Sequence, residues 1–592
     1  MGDKIKKVLI LDYKYSQKKN FTKQKLIFLN KRAFFLNKGS FIFKRFQVLK
    51  DTSLNRDQRK KNYSYLDRIY EEILTILSKR LTKINKVDFN KNQWNILIGS
   101  WLFYYLSTCF NRYSKLNKIF KVHKNITVYI EKLENRIETF STEDFLQKIH
   151  LNNLWNAEVY YGLLIEMKQK VLLNNVKEKK YQKKLIIGHK TSLKRKIISL
   201  ILNFIFIKFS KNNSFIITSY LPLFQEIYLN LKTNGVPILF VTQRTELKNY
   251  NYNKSNNSKN LSIKKKKDTF FNFINKNIIQ DIPEVFIKYF SKIYKESLNT
   301  TWPKNPNSIF TSNLYESDEL FKMYVAIKNK ECKSSYIIGQ HGNSYNVTIQ
   351  SEYNPETKFS DKFLSWSSKK NKKNFLPLGN FTNEINKKRK KIFKLKNILI
   401  VMRSKGLDYE VFDRPSMNRK YEYYLLLFLK NLSPKVRNKI IIKFHFTHLH
   451  DDIKSKIKKL YKDIKILDIK SSIEKYYADY STLVIFNYDS SGFYKTLHNN
   501  KPTLCFWPNE FSHVRDSGLN YYKKMKKVGI YHDNPKKLSL RLESLINNDQ
   551  IFNWWYSRPN QDFINDFNSR YNKKLVYFDK IVKLKNLLLN RL

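Results

Sequence analysis

Residues 481–507 read STLVIFNYDSSGFYKTLHNNKPTLCFW. The apolar run at 482–486 is short, unbroken and rich in β-branched and aromatic side chains, as a strand buried on both faces would be. Asp489-Ser490-Ser491-Gly492 follows, then a helical stretch, then a second apolar run at 503–506. Strand, polar loop, helix and strand in that order make the βαβ unit of a parallel sheet. Ser and Gly at the start of the helix leave its first N–H groups open to an anion, and the hydroxyls of Ser490 and Ser491 add donors. Asp489 or Ser490 equally suits an ordinary N-cap. The loop therefore reads as a phosphate cradle or as a plain helix start.

The same rhythm extends in both directions. Strand-like runs lie at 398–402, 439–444, 465–467 and 529–531, and an earlier series at 214–219, 237–241, 308–311, 335–338 and 362–364. Residues 8–12 (VLILD) open the chain as a strand. Tyr65, Ile69, Ile73, Ile76, Leu77 and Leu81 recur at three- and four-residue spacing, a helix over 63–83, and a second helix covers 94–110. Helices are expected to continue to about residue 211. Residues 251–267 are a polar low-complexity loop, and the basic stretch 380–396 reads as a linker. The expected fold is α/β, with two Rossmann-like doubly wound domains. The first spans 1–385 with a helical insertion at about 60–210, and the second spans 395–550. Residues 551–592 form closing helices, back against the first domain. Ligands in such folds sit at the carboxyl ends of the strands, in the crevice between the halves.

At 592 residues the chain holds two to four packed units, and 42% hydrophobic residues supply their cores. Cys109, Cys332 and Cys505 are far apart and odd in number, which fits a reducing cytoplasm rather than a disulfide framework. The formal charge is +63, from 112 Lys and Arg against 49 Asp and Glu. Such an excess suits polyanions. It equally follows from an AT-rich genome, since Lys, Asn, Ile, Phe and Tyr are all abundant and the lysines are spread along the whole chain. A nucleic-acid partner is not expected, because basic residues and stacking aromatics do not cluster. The opening MGDKIKKVLILDYKYS has no small-residue cleavage site and reads as a strand rather than a signal peptide. The apolar run at 197–207, IISLILNFIFI, is too short to span a bilayer. It is read as a buried helix or as a helix lying on the cytoplasmic face of the inner membrane.

Four segments carry side chains suited to chemistry. In SYIIGQHGNSYN, 335–346, a strand ends at Gly339-Gln340-His341-Gly342. The flanking glycines allow close approach of a ligand and leave His341 where a cleft base would stand. Just upstream, Glu316, Asp318 and Glu319 precede a helix; they are first-turn acids, or one of them orients His341 or an acceptor hydroxyl. In KIIIKFHF, Lys443 and His445 share a strand face and can present two donors to a phosphate. His445, His448 and His450 invite a metal reading, but no carboxylate or cysteine completes the set, so no metal is expected. Arg403, at the end of the 398–402 strand, and Arg515 are further candidates for an anionic donor. Neither a Walker loop nor a dinucleotide fingerprint is present.

With KVLILDY, NQWNILIGSWLFYYL, IFTSNLYESDELFKMYVA, IIGQHGNSYN, FLSWSS, ILIVMRS, IIKFHFTHLHDD and the long final stretch through KKVGIYH, the chain resembles a transferase family of bacterial surface-carbohydrate biosynthesis found in O-antigen clusters. The resemblance implies a GT-B-like fold and transfer of an activated sugar to a growing surface glycan or lipid-linked glycan. It implies a nucleotide-sugar donor, no cofactor and a cytoplasmic site of action. A looser similarity connects Lys443-x-His445 and Ser490-Ser491 to sialyl- and Kdo-type transferases, which hold a CMP-sugar; Phe446 stands where those enzymes have proline. Lys495 stands where an acid would bind a donor hydroxyl. On these grounds Lys443, His445, Asp489, Ser490, Ser491, Arg403 and Arg515 are expected to hold the donor. Gln340 and Gly342 are expected to line the cleft, and His341 to act as base with Asp318 or Glu319 orienting it. A catalytically inactive scaffold of the assembly machinery is the alternative.

Overall fold

The computed structural model describes residues 6–50, 54–134, 136–176, 186–187, 197, 214–233, 245–246, 266–300, 302–342, 345, 347–368, 373–382, 397–402, 418–444, 451–467, 481–508, 511–575 and 577–589. Strands β1 Lys7–Ile10, β2 Lys25–Phe28, β3 Arg45–Val48, β4 Thr127–Leu133 and β5 Val171–Val176 form an N-terminal sheet. Strands β6 Ser214–Ile216, β7 Ser308–Thr311, β8 Ser335–Gly339, β9 Lys362–Ser365 and β10 Phe375–Pro377 form a middle sheet. The C-terminal sheet holds β11 Ile398–Val401, β12 Ile440–Lys443, β13 Lys465–Leu467, β14 Leu483–Phe486, β15 Thr503–Phe506 and β16 Tyr531–His532. The helices that position the site are α1 Arg56–Asn85, α2 Lys91–Val122, α3 Asn153–Glu166, α4 Glu319–Glu331, α5 Ser491–His498, α6 Asp516–Lys527, α7 Arg558–Tyr571 and α8 Tyr577–Leu588.

All pairings within the three sheets are parallel. The C-terminal sheet runs β13-β12-β11-β14-β15-β16. The chain works outward from β11, then returns to β11's other side at β14, the strand order of a dinucleotide-binding fold. The ligand crevice of such a sheet lies between the carboxyl ends of β11 and β14, where the order reverses. The middle sheet runs β10-β9-β8-β7-β6 in sequence order. Its strands follow one another with no reversal, whereas the C-terminal sheet has the doubly wound order expected of it.

The region expected to be purely helical differs. β4 and β5 lie inside it, and with β1 to β3 they build the N-terminal sheet in the order β3-β2-β1-β4-β5. β1 therefore belongs to this extra sheet and not to the middle one. Its helices follow local signals: Asn55 with Gln58, and Asn90 with Gln93, form complete capping boxes ahead of α1 and α2. α2 buries Trp94, Ile98, Trp101 and Leu102 against α1 and α4, so one continuous core joins the N-terminal sheet to one face of the middle sheet. The other face is closed by α8. Ile581, Leu584 and Leu588 pack on Ile216, Phe310 and Ile337, Ser308 donates to the Leu588 carbonyl at 2.8 Å, and Lys580 donates to the Phe381 carbonyl at 3.0 Å. The last of the closing helices, α8, thus returns to the first half of the chain, whereas α7 packs through Phe563, Phe567 and Tyr571 in the core of the C-terminal sheet. Expected strand 237–241, Arg403, His445, His448 and His450 lie outside the described residues, as do residues 198–207 of the apolar run. No helix among the described residues is long and apolar enough to cross a membrane.

Candidate active site

β8 ends at Gly339, and a Cβ there would stand 2.5 Å from Ser312 Oγ and 2.7 Å from the Phe381 ring. Closeness, not a special backbone angle, is why glycine is required. Gly342 has ordinary room, and a Cβ there would meet Ser491 Oγ at 3.5 Å. The His341 loop of the middle sheet therefore stands next to the first residue of α5 in the C-terminal unit. Thr348 and Val514 bridge the same two units, and Arg515 N–H donates to the Val347 carbonyl at 2.8 Å.

His341 lies among three tyrosines. Its ring stacks near Tyr220 at 6.2 Å, tilts against Tyr315 at 6.2 Å and meets the edge of Tyr345 at 5.7 Å. Tyr220 is held at φ +60°, a left-handed conformation costly for a bulky residue and common where function imposes it. His341 Nδ1 is 3.4 Å from Tyr345 Oη, which donates to Glu356 at 2.6 Å. Tyr104 donates to Glu316 at 2.8 Å. These groups line a small polar cavity of about 180 Å3. Burial pulls the His341 pKa below its usual value, against the opposing pull of Glu316 and the Ser312 carbonyl. The imidazole is therefore neutral near pH 7, in the form that accepts a proton.

Burial also pushes the Glu356 carboxyl up to about 7, against the Tyr345 hydrogen bond that favours its charge. The raised value has a sign that can be tested. A carboxyl at about 7 in the folded chain and 4.5 as its reference stabilises the fold fully below 4.5. That contribution is lost as pH rises through 7, and at about 1.4 kcal/mol per unit it amounts to about 3 kcal/mol. Glu356→Gln is expected to match the parent at pH 8 or exceed it in melting temperature, and to fall behind it at pH 5. Parallel melting curves whose difference does not change between pH 5 and pH 8 would show instead that Glu356 stays ionised.

On the C-terminal sheet, Leu399, Val401, Ile441, Val484 and Phe486 face one core while Ile398, Ile400, Ile442 and Ile485 face the other. Lys443, two residues after Ile441, shares its face by strand alternation. α5 packs on that same face through Phe493, Tyr494 and Leu497. Lys443 and Ser491 therefore lie on one side of the sheet, at the carboxyl ends of β12 and β14. Ser490 is the N-cap of α5, its hydroxyl accepting from Phe493 N–H at 3.2 Å. Ser491 is the first helical residue and half-buried. Asp489 accepts from Tyr522 Oη at 2.8 Å and lies 3.0 Å from His513 Nε2, which joins the strand end to the loop before α6.

Four of the expected site residues are engaged in other contacts. Asp318 is the N-cap of α4, buried and accepting from Phe321 N–H at 3.0 Å. Glu319 accepts from Thr142 N–H at 2.6 Å and pairs with Lys322 at 2.6 Å, with both side chains buried. The acids that line the cavity with His341 are Glu316 and Glu356. Gln340 is also structural, donating to the Gly342 carbonyl at 2.7 Å and accepting from Trp366 N–H at 2.8 Å, so both ends of its amide are used in bracing the loop. Arg515 is turned to a second cavity, paired with Glu352 at 3.3 Å. Glu356 and Tyr345 were missed. Tyr345 sat within the 335–346 motif, whereas Glu356, after Asn354-Pro355, reads only as an acid opening a short helix. Among the described residues no cluster of His, Cys, Asp and Glu could hold a metal.

Residues 8–583 match the family model for the LIC12162 family transferase. The chain belongs to that family. No curated protein matches this transferase in sequence. Its similarities to solved structures are distant. The Staphylococcus aureus MnaA–UDP structure is 12% identical over 51% of this chain and 82% of that one, with a TM-score of 0.33. WaaG, a glycosyltransferase of lipopolysaccharide biosynthesis, is 9% identical over 64% and 99%, with a TM-score of 0.28. The spinosyn rhamnosyltransferase SpnG with its aglycone is 10% identical over 51% and 79%, with a TM-score of 0.26. None superposes well enough to carry an argument about this transferase.

Proposed function

We propose that this transferase moves a sugar from a nucleotide-activated donor to a hydroxyl of a surface-glycan acceptor. The observation that carries the reading is the meeting of the His341 loop with the start of α5, at the strand-order reversal of the C-terminal sheet. A neutral proton acceptor there faces a helix N-terminus suited to an anion. The acceptor oxygen bonds to the anomeric carbon as the bond from that carbon to the donor phosphate breaks, and the electron pair leaves on the phosphate. His341 takes the hydroxyl proton, and the Glu316 carboxylate favours the imidazolium that forms. The open N–H groups of α5, the Ser491 hydroxyl and the Lys443 ammonium offset the charge on the departing nucleotide.

Isotope-labelled transfer tests this directly, using a donor panel that includes CMP-linked acidic sugars and UDP-linked neutral ones. Label moved to acceptor from one donor supports the reading. Nucleotide binding without transfer from any of them favours the inactive scaffold that Lys495 suggests. Ser491→Tyr fills the gap between α5 and Gly342 and is expected to weaken donor binding at least about 10-fold, an effect of about 1.4 kcal/mol. Unchanged donor affinity in that variant would place the nucleotide elsewhere.

A further inference from the structure

A cavity of about 940 Å3 lies between α1 and the start of α6. α1 contributes Lys60, Lys61, Ser64, Tyr65 and Arg68, which the helical repeat puts along one stripe. Arg515 lines the opposite side. Four cations stand there against two carboxylates, Glu352 and Asp516. Lys60 pairs with Asp516, and Arg515 pairs with Glu352 at 3.3 Å. Lys61 and Arg68 remain exposed, with Arg68 only loosely near Asp268 at 3.9 Å and its side chain 69% accessible. The lining is left with an excess of positive charge at its accessible edge. Tyr65 and Tyr353 add aromatic surface, and aromatic faces beside a charged group suit a sugar ring bearing an acidic substituent.

This cavity and the His341 cavity flank one short turn. Ile349, Glu352 and Tyr353 face the larger space, while Thr348, Gln350 and Ser351 face the smaller one. A glycan with its reacting hydroxyl at His341 would reach past that turn into the basic cavity. Resting on the transfer reading above, we infer that the cavity holds the anionic group of the acceptor, a carboxylate or a phosphate.

The test measures binding of tetragalacturonate, uncharged maltotetraose and inorganic pyrophosphate to the full chain. The cavity variant is Lys61→Ala with Arg68→Ala, both at exposed positions. Lys536→Ala with Lys537→Ala removes two exposed charges elsewhere and controls for the general basicity of the chain. Tetragalacturonate is expected to bind at least about 10-fold more tightly than maltotetraose, and the cavity variant to lose about 10-fold while the control does not. Loss confined to pyrophosphate assigns the group to a phosphate; loss of tetragalacturonate assigns it to a uronate. Affinity for both anions unchanged in the cavity variant, or an equal loss in the control, overturns the inference. Failure of the transfer reading shows separately, as absence of transfer from every donor with anion binding at the cavity intact.

Discussion

His341→Ala is expected to retain the fold and donor affinity while lowering turnover at least about 100-fold, the scale of a positioned general base. The expectation rests on where the ring stands. It follows β8 by two residues, lies among Tyr220, Tyr315 and Tyr345, and opens on the small polar cavity it shares with Glu316 and Glu356. Its pKa lies below the ordinary value, so the base form persists below neutrality. Turnover should hold as pH falls from 8 and decline only below the ordinary histidine range, and His341→Ala should abolish that decline. Melting temperature and single-turnover transfer on one preparation separate the possibilities. Lost thermal stability with intact turnover per folded molecule would make His341 a brace for its loop.

The C-terminal sheet was legible because its strands are buried on both faces. Residues 398–402, 482–486 and 503–506 are unbroken apolar runs, and Asp489-Ser490-Ser491 marks the end of β14 without ambiguity. The N-terminal sheet was hidden for the opposite reason. β4 reads TVYIEKL and β5 reads VLLNNV, with polar residues among the apolar ones and exposed residues along β5. β2 and β3 are four residues each, set among lysines and phenylalanines whose spacing fits no clear period. Long helices on either side of β4 then bias the region toward a helical reading.

The site was half legible for a related cause. A glycine-flanked histidine after a strand is a local signal, and its place at the cleft follows from the fold. Which acid stands beside it depends on the path of the chain, and sequence distance misleads. Asp318 and Glu319 are close to Ser312 in sequence, yet the turn at 313–316 sends α4 away into the core. Glu356, fifteen positions beyond His341, returns through Tyr345. The basic cavity is less legible still, since it pairs α1 with Arg515 across more than four hundred residues.

Glu319→Ala is expected to do the reverse of His341→Ala: lower stability by about 3–5 kcal/mol and leave turnover per folded molecule unchanged. Glu319 and Lys322 are both buried, 2.6 Å apart, on the first turn of α4. The Lys322 ammonium also donates to Thr142 Oγ1 at 3.1 Å, and Glu319 accepts from the Thr142 backbone at 2.6 Å. The pair therefore fastens the helix at 142–147 to α4. Truncating the carboxylate leaves an ammonium in an apolar core with one hydroxyl as partner and an orphaned N–H at Thr142, each costly without compensation. Lys322→Met in the same chain removes the stranded charge and should restore part of the loss, because an apolar side chain of similar size suits the Phe286 ring 5.4 Å from the Lys322 ammonium. Chemical denaturation of the single and double variants reads the stability change, and transfer per folded molecule reads the chemistry. A fall in turnover that persists after the double substitution restores stability would return Glu319 to the catalytic site.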